Sequence, residues 1–136
     1  MIVLDASLMI AWLLGERRRR EIEDSYSQLQ DRPVVVPAHW AIEISNALRA
    51  YLRTGHLSLV DFQAVLETFD FMQIRIDQPI GVDEIGPIAQ FALTHDLTAH
   101  DAAYVQLALR HRATLATLDN AMRRAAAALN IPLIPA

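Results

Sequence analysis

The chain has 136 residues, of which 53% are hydrophobic and 21% are charged, and its formal net charge is −4. The high apolar content excludes a disordered chain, and the length predicts a single domain over residues 1–136 with one buried core. No apolar run approaches the ~18 residues of a membrane span, and Met1 leads directly into Ile-Val-Leu-Asp5 without the basic start of a secretory signal, so a cytoplasmic protein is expected.

Two residue types are missing from the chain, and each absence removes a class of chemistry. Without cysteine there is neither a disulfide framework nor a thiolate metal site. All 12 basic residues are arginine, so mechanisms that need a lysine ammonium, such as Schiff-base formation, are excluded. The negative net charge argues against a general nucleic-acid coat protein, whereas an enzyme that holds cations in an acidic pocket remains open.

Short apolar runs and helically spaced apolar residues predict an alternation of strands and helices. In chain order the predicted elements are strand 2–4, helix 7–14, helix 17–30, strand 34–36, helix 39–54, helix 58–69, strand 73–76, helix 83–95, helix 101–111, strand 114–117, helix 120–129 and strand 133–134. Gly15 and Gly55 mark helix ends, and Ser58 and Thr98 each begin a segment that resembles a capping box. This order predicts an α/β fold with a central, mostly parallel sheet of four to five strands, covered on both faces.

Four acidic residues fall where such a fold collects its ligands. Asp5 follows the first strand and Asp119 follows the fourth, while Asp101 begins a helix and Glu43 lies in the second turn of the helix after the second strand. Ligands of open parallel sheets bind beyond the carboxyl ends of the strands. Mg²⁺ and Mn²⁺ prefer oxygen ligands such as carboxylates, and a site of this kind can activate water for in-line displacement at phosphorus.

Each acid also has a simpler interpretation as a local helix signal. Asp5 can cap the helix that begins near Ser7, and Asp101 and Asp119 can be capping or first-turn acids that complement helix dipoles. Glu43 can be an exposed helix acid, although its place beside an apolar stripe favours a partner or a cation. The four residues are more informative as an ordered set than one by one.

Short segments around these acids resemble PIN-domain ribonucleases. The segments are Ile-Val-Leu-Asp5-Ala-Ser7, Glu43-x-x-Asn46, Asp101-Ala-Ala-Tyr104 and Thr117-Leu-Asp119-Asn120. The length of the chain and its few extra segments resemble the VapC-type toxins of bacterial toxin–antitoxin pairs. The resemblance covers essentially the whole chain. One departure is His100, which replaces the tyrosine that commonly precedes the third acid.

The resemblance implies a three-layer α/β/α PIN fold and metal-dependent endonucleolytic cleavage of RNA. It also implies that a Mg²⁺ ion, or Mn²⁺ in its place, is bound by four acids: Asp5, Glu43, Asp101 and Asp119. Ser7 and Thr117 match hydroxyl positions that support ligands or waters, and Asn46 is expected to face the same pocket. A VapB-type antitoxin and a second copy of the chain, forming a homodimer, are the expected protein partners.

Two other classes of protein compete with the nuclease. Receiver and haloacid-dehalogenase domains also place Asp residues at strand ends, but they use a lysine that this chain lacks. A PIN-like module that only binds a protein partner is the stronger rival, although such a module would ordinarily have lost acids that this chain keeps. The identity of the RNA, the number of metal ions and the dimer interface stay open.

Arginines, histidines and tryptophans carry weaker signals. The basic run at residues 17–20 can track an RNA backbone, but the acids that follow it favour a solvated helix face. Arg49 and Arg53 share a helix face and are candidate RNA phosphate contacts, equally consistent with an exposed basic edge. The histidines form no i, i+4 metal pair on one predicted helix, and Trp12 and Trp40 fit apolar stripes that favour packing.

Overall fold

The computed structural model describes residues 1–15 and 19–136, so part of the basic run at residues 17–20 lies outside the described residues. Within the described part of the chain, one sheet contains five strands: β1 (Ile2–Leu4), β2 (Val34–Val36), β3 (Ile74–Ile76), β4 (Thr114–Ala116) and β5 (Leu133–Ile134). Their order across the sheet is β3-β2-β1-β4-β5, and every neighbouring pair is parallel. The predicted α/β fold with a parallel central sheet is confirmed.

Helices connect the strands and cover the sheet. In the described ranges they are α1 (Ala6–Leu14), α2 (Arg19–Leu29), α3 (Trp40–Arg53), α4 (Leu59–Phe69), α5 (Ile85–Thr94), α6 (Ala99–His111) and α7 (Asn120–Ala128), with a 3₁₀ turn at Val82–Glu84 before α5. The chain moves from β1 to β3 towards one edge and from β4 to β5 towards the other. Because such crossovers are right-handed, α1–α4 and α5–α7 cover opposite faces. The helices contact one another within these two groups.

Several predicted boundaries shift by one or two residues, and two of these shifts bear on the site. Helix α6 begins at Ala99 rather than Asp101, because the Thr98 hydroxyl accepts a hydrogen bond from the Asp101 backbone N–H and so caps the helix two residues earlier. Strand β4 ends at Ala116, one residue before its predicted end. This ending leaves Thr117 outside the sheet, where its side chain contacts the segment that follows β1.

The core lies on both sides of the central strands. Strand β1 is completely buried, and so are Leu115 and Ala116 of β4, because helices cover both of their faces. Strand β3 at the sheet edge is much more exposed, with Ile76 55% accessible. None of the helices within residues 1–15 and 19–136 combines the length and apolar character needed to cross a membrane.

Candidate active site

The candidate site lies where the path of the chain across the sheet changes direction. Strands β1 and β4 are neighbours, but the chain leaves β1 towards β2 and leaves β4 towards β5. The helices that follow these strands therefore lie on opposite faces and leave a crevice beyond the carboxyl ends of β1 and β4. Asp5 directly follows β1, Thr117 directly follows β4, and Asp119 lies two residues after Thr117.

Asp5 is buried and held by three hydrogen bonds. Its Oδ2 accepts from the Ser7 hydroxyl at 2.6 Å and from the Thr117 hydroxyl at 2.7 Å, and its Oδ1 accepts from the Ser7 backbone N–H at 3.3 Å. Burial raises the pKa of the Asp5 carboxyl and the Glu43 charge adds to that effect, while the donors from Ser7 and Thr117 oppose it. A side chain that is 3% exposed and disfavoured as an anion is a strong candidate to meet a cation.

Thr117 connects Asp5 to the start of α7. Its hydroxyl donates to Asp5 and accepts from the Asp119 backbone N–H at 3.0 Å. Asp119 in turn caps α7, with its Oδ1 accepting from the Met122 backbone N–H at 2.8 Å. Asp5 caps α1 in the same way through Ser7. The sequence offered helix capping and membership of an acidic cluster as alternative roles for these acids. In the structure, Asp5 and Asp119 have both roles at once.

Glu43 enters the crevice from α3 with two partners. Its Oε1 accepts from the Tyr104 hydroxyl at 2.9 Å and lies 3.0 Å from Nε2 of His39, an ion-pair distance without hydrogen-bond alignment. Partial burial opposes ionisation of Glu43, but the proximity of His39 and Tyr104 outweighs it, so the pKa of Glu43 is lowered. The Tyr104 hydroxyl also accepts from the Ala6 backbone N–H at 3.4 Å. Tyr104 thus links α3 to the start of α1 across the crevice.

Asp101 completes the set from the first turn of α6. Partial burial raises the pKa of Asp101, and the negative charges of Asp119 and Glu43 raise it further. Glu43 likewise raises the pKa of Asp5. Each of the four acids therefore interacts electrostatically with at least one other, although four separate elements carry them. Carboxylates that repel one another in a part-buried crevice are suited to a cation.

The carboxylates do not form a ready-made set of direct metal ligands. Among the residues that the structure describes, no group of three or more His, Asp or Glu side chains is arranged to hold a metal ion. Mg²⁺ commonly keeps several of its waters and binds proteins through one or two carboxylates. The donor set, all oxygen and mutually repelling, fits a hydrated divalent ion of this kind.

The other residues predicted from sequence fall into two groups. Ser7 and Thr117 contact the cluster directly, both through Asp5. Asn46, Arg49 and Arg53 lie exposed on α3 after Glu43.

The structure adds side chains to which the sequence interpretation gave no role at the site. His39 and Tyr104 contact Glu43, and the ring of His100 packs edge-on against that of His39, with centroids 4.9 Å apart. Arg123 donates to the backbone oxygens of Thr117 at 2.9 Å and of Pro135 at 2.8 Å, which fixes the segment after β4. The i, i+4 spacing of His39 and Glu43 is the one local signal that points to any of these contacts.

Comparisons with known proteins agree with this architecture. The PIN domain family matches residues 2–128. The chain is 30% identical over 135 residues to Ribonuclease VapC3 of Pyrobaculum aerophilum, which covers 96% of this chain and 98% of that protein. The fold is similar to the crystal structure of PAE2754 from Pyrobaculum aerophilum, with TM-score 0.66, 18% identity and coverage of 98% of this chain and 83% of that one. It is also similar to FitAcB from Neisseria gonorrhoeae, with TM-score 0.65, 19% identity and coverage of 98% and 96%. The chain belongs to the PIN domain family.

Proposed function

We propose that this protein is a divalent-metal-dependent endoribonuclease that acts as the toxin of a toxin–antitoxin pair. The observation that carries the proposal is the set of four electrostatically linked carboxylates beyond β1 and β4. Asp5, Glu43, Asp101 and Asp119 come from four elements, and their charges act on one another across the crevice. Similarity to a protein named Ribonuclease VapC3 supports RNA as the substrate.

Different residues of the chain have different roles in such a site. A bound Mg²⁺ or Mn²⁺ ion would supply charge stabilisation at phosphorus and lower the pKa of a bound water. Asp5 and Asp101, whose pKa values are raised, would hold the ion directly or through its waters. Glu43, whose pKa is lowered, stays ionised and is positioned by Tyr104. Ser7 and Thr117 fix the orientation of the Asp5 carboxylate by donating to its Oδ2.

Cleavage of single-stranded RNA by purified protein tests the proposal. We expect activity with Mg²⁺ or Mn²⁺ and none in chelator. Asp5→Asn and Asp101→Asn should each lower the rate at least ~100-fold, which corresponds to about 2.7 kcal/mol of transition-state stabilisation. Two variants are used because Asp5 is buried and accepts three hydrogen bonds, so the asparagine amide introduced there can disturb folding. Asp101 is partly exposed, so its substitution is easier for the fold to accommodate.

Asp31→Asn is the matched control for these two variants. Asp31 is exposed and has a positive φ of 65°, a backbone conformation that Asn adopts readily. The control removes the same charge far from the crevice and should leave cleavage unchanged. Full activity in folded Asp101→Asn protein, or cleavage that persists in chelator, contradicts the proposed metal-dependent mechanism. A folded protein that cleaves no RNA with Mg²⁺ or Mn²⁺ favours a module that only binds a partner.

We propose further that an antitoxin binds a groove between α1, α2, α3 and α4, hereafter the α1–α4 groove. It has a volume of about 730 Å³ and is lined by Trp12, Tyr26, Leu57 and Val65 among other residues. None of the four acids lines this groove, but α1 runs from its edge to Asp5, a distance of about 13 Å for nine residues. An amphipathic helix in the groove with an extended continuation along α1 would cover apolar surface and block the crevice.

The partner to test is any small protein encoded by a reading frame next to the gene for this chain. It should bind and suppress RNA cleavage. Ala64→Arg places a charge in the α1–α4 groove at an exposed position of α4 and should weaken inhibition at least ~10-fold. Gln63→Arg adds the same charge at the neighbouring exposed position outside the groove lining and should not. Equal inhibition of both variants contradicts the assignment of the groove.

The homodimer expected from the family resemblance stays a prediction, which sedimentation in solution tests.

A further inference from the structure

A small apolar cleft lies directly beside the acidic crevice. It has a volume of about 330 Å³, with Ile88 and Ala103 as its buried floor, and His39, His100, Ile80 and Ala99 around it. We refer to it as the His39–His100 cleft. No Asp, Glu or Arg is among the residues that line it, which distinguishes it from the acidic crevice.

The cleft and the acidic crevice share a wall. His39 lies 3.0 Å from Glu43, and His100 directly precedes Asp101 in α6. The two imidazole rings are in edge-on contact at the boundary, with centroids 4.9 Å apart. If the phosphate group of a ligand binds at the carboxylates, the chemical group attached next to that phosphate therefore lies beside this cleft.

The lining suits a small apolar ring. The floor and rim offer aliphatic surface, and the two histidines add ring surface, while Nε2 of His39 is buried beside Glu43. An arginine to hold a second phosphate is missing from the lining. Proteins that read single-stranded RNA stack its unpaired bases on aromatic side chains, histidine included. The apolar face of a nucleobase therefore matches the lining of the cleft.

We propose that the His39–His100 cleft binds one base of the RNA substrate, the base adjacent to the bond that is cleaved, with His100 as its stacking surface. This inference rests on the proposed ribonuclease function. It assigns to His100 a role in choosing the nucleotide at the cleavage site.

A cycle of protein and substrate changes tests the subsite. A short RNA with a single cleavage site is prepared with one abasic nucleotide at each position in turn. We expect the abasic change at one position next to the cleaved bond to lower kcat/KM about tenfold in the unaltered protein, as loss of one stacked base does. His100→Ala should lower kcat/KM for the full RNA by a similar factor, mainly through KM, and should have no effect with that abasic RNA.

Ala99→Leu provides a second, independent change. Ala99 is exposed at the rim, so the larger side chain fills the cleft without entering the core. Ala99→Leu should lower kcat/KM for the full RNA as His100→Ala does. Like His100→Ala, it should have no effect on kcat/KM for the abasic RNA. His111→Ala removes a histidine at the opposite end of α6 and should leave both substrates unaffected.

Each contrary outcome has a distinct meaning. If the protein cleaves RNA but the abasic change and His100→Ala each lower kcat/KM independently, so that their fold-reductions multiply, the base does not bind this cleft. Only the subsite is then overturned. If Ala99→Leu changes the molar mass in solution, a second copy of the chain covers the cleft and the subsite is wrong. If no RNA is cleaved with Mg²⁺ or Mn²⁺, the proposed function and the subsite are overturned together.

Discussion

Two of the four acids combine a structural and an electrostatic role in one side chain. Asp119 accepts the Met122 backbone N–H and so caps α7, and its charge raises the pKa of Asp101. The first role stabilises the fold, whereas the second destabilises it when no cation is present. Substitutions that remove these roles separately can therefore distinguish them.

Asp119→Asn keeps the capping oxygen and removes the charge. We expect it to raise the melting temperature of metal-free protein at pH 7.5 by about 1–3 °C, because relief of the repulsion with Asp101 exceeds the loss of about 0.3–1 kcal/mol from the α7 dipole. Asp119→Ala removes the cap as well and should be about 1 kcal/mol less stable than Asp119→Asn. Thermal melts in chelator measure both. A destabilised Asp119→Asn protein would mean that capping is the dominant role.

Helix starts bring the acids together at the scale of elements. Asp5 and Asp119 begin α1 and α7, and Asp101 lies in the first turn of α6, where Thr98 caps the helix. The position of each carboxylate therefore depends on where a helix begins. Ser58 caps α4 with the same geometry as Thr98, but α4 carries none of the four acids.

Thr98→Ala and Ser58→Ala make a matched pair. Each removes a hydroxyl that accepts a backbone N–H three residues later, at 3.2 Å and 3.0 Å respectively. Each should lower the free energy of unfolding by about 1 kcal/mol, as measured with urea. Only Thr98→Ala should also lower the rate of RNA cleavage, because the start of α6 orients Asp101. Equal activity of the two variants would show that Asp101 is positioned by tertiary contacts alone.

The stability of the whole molecule is expected to depend on pH and on bound cations, because the ionised carboxylates of the site repel one another. The pKa values of Asp5 and Asp101 are raised above 3.8, so the folded chain binds these protons more tightly than the unfolded chain. Their effect on stability is unfavourable above the folded pKa and is relieved as the pH falls through it. Glu43 has the opposite sign: its pKa is below 4.5, so its favourable contribution is lost as the pH falls through that lowered value.

Between about pH 8 and pH 5, the metal-free protein should therefore lose part of this penalty as the pH approaches the raised pKa values of Asp5 and Asp101, whereas the contribution of Glu43 is lost only in stronger acid. Mg²⁺ should stabilise the fold by about 2.7 kcal/mol at a hundredfold excess over its Kd, and by less at pH 5, because protons compete for the same carboxylates. Melting temperatures at both pH values, with Mg²⁺ and with chelator, test this. A Mg²⁺ effect that is equal at both pH values would place the ion elsewhere.

Local signals in the sequence determined the elements and their order. Apolar runs such as Ile2–Leu4 and Val34–Val36 predicted buried strands, and Gly15 ended α1 with a positive φ of 64°. The alternation of strands and helices then required a parallel sheet, and the right-handed crossover rule restricts how its helices are placed. These signals act over a few residues, so the sequence displays them directly.

The sequence by itself therefore determined the α/β architecture and, with the family resemblance, the four candidate acids. Only the tertiary structure decided which side chains support them, because these contacts join residues far apart in the chain. Thr117 bonds to Asp5 across 112 positions, and Tyr104 to Glu43 across 61. The His39–His100 cleft likewise exists only because the starts of α3 and α6 meet α5 and the segment before it beside the crevice. No local pattern encodes such contacts, since they depend on how packed helices from opposite faces converge at one edge of the sheet.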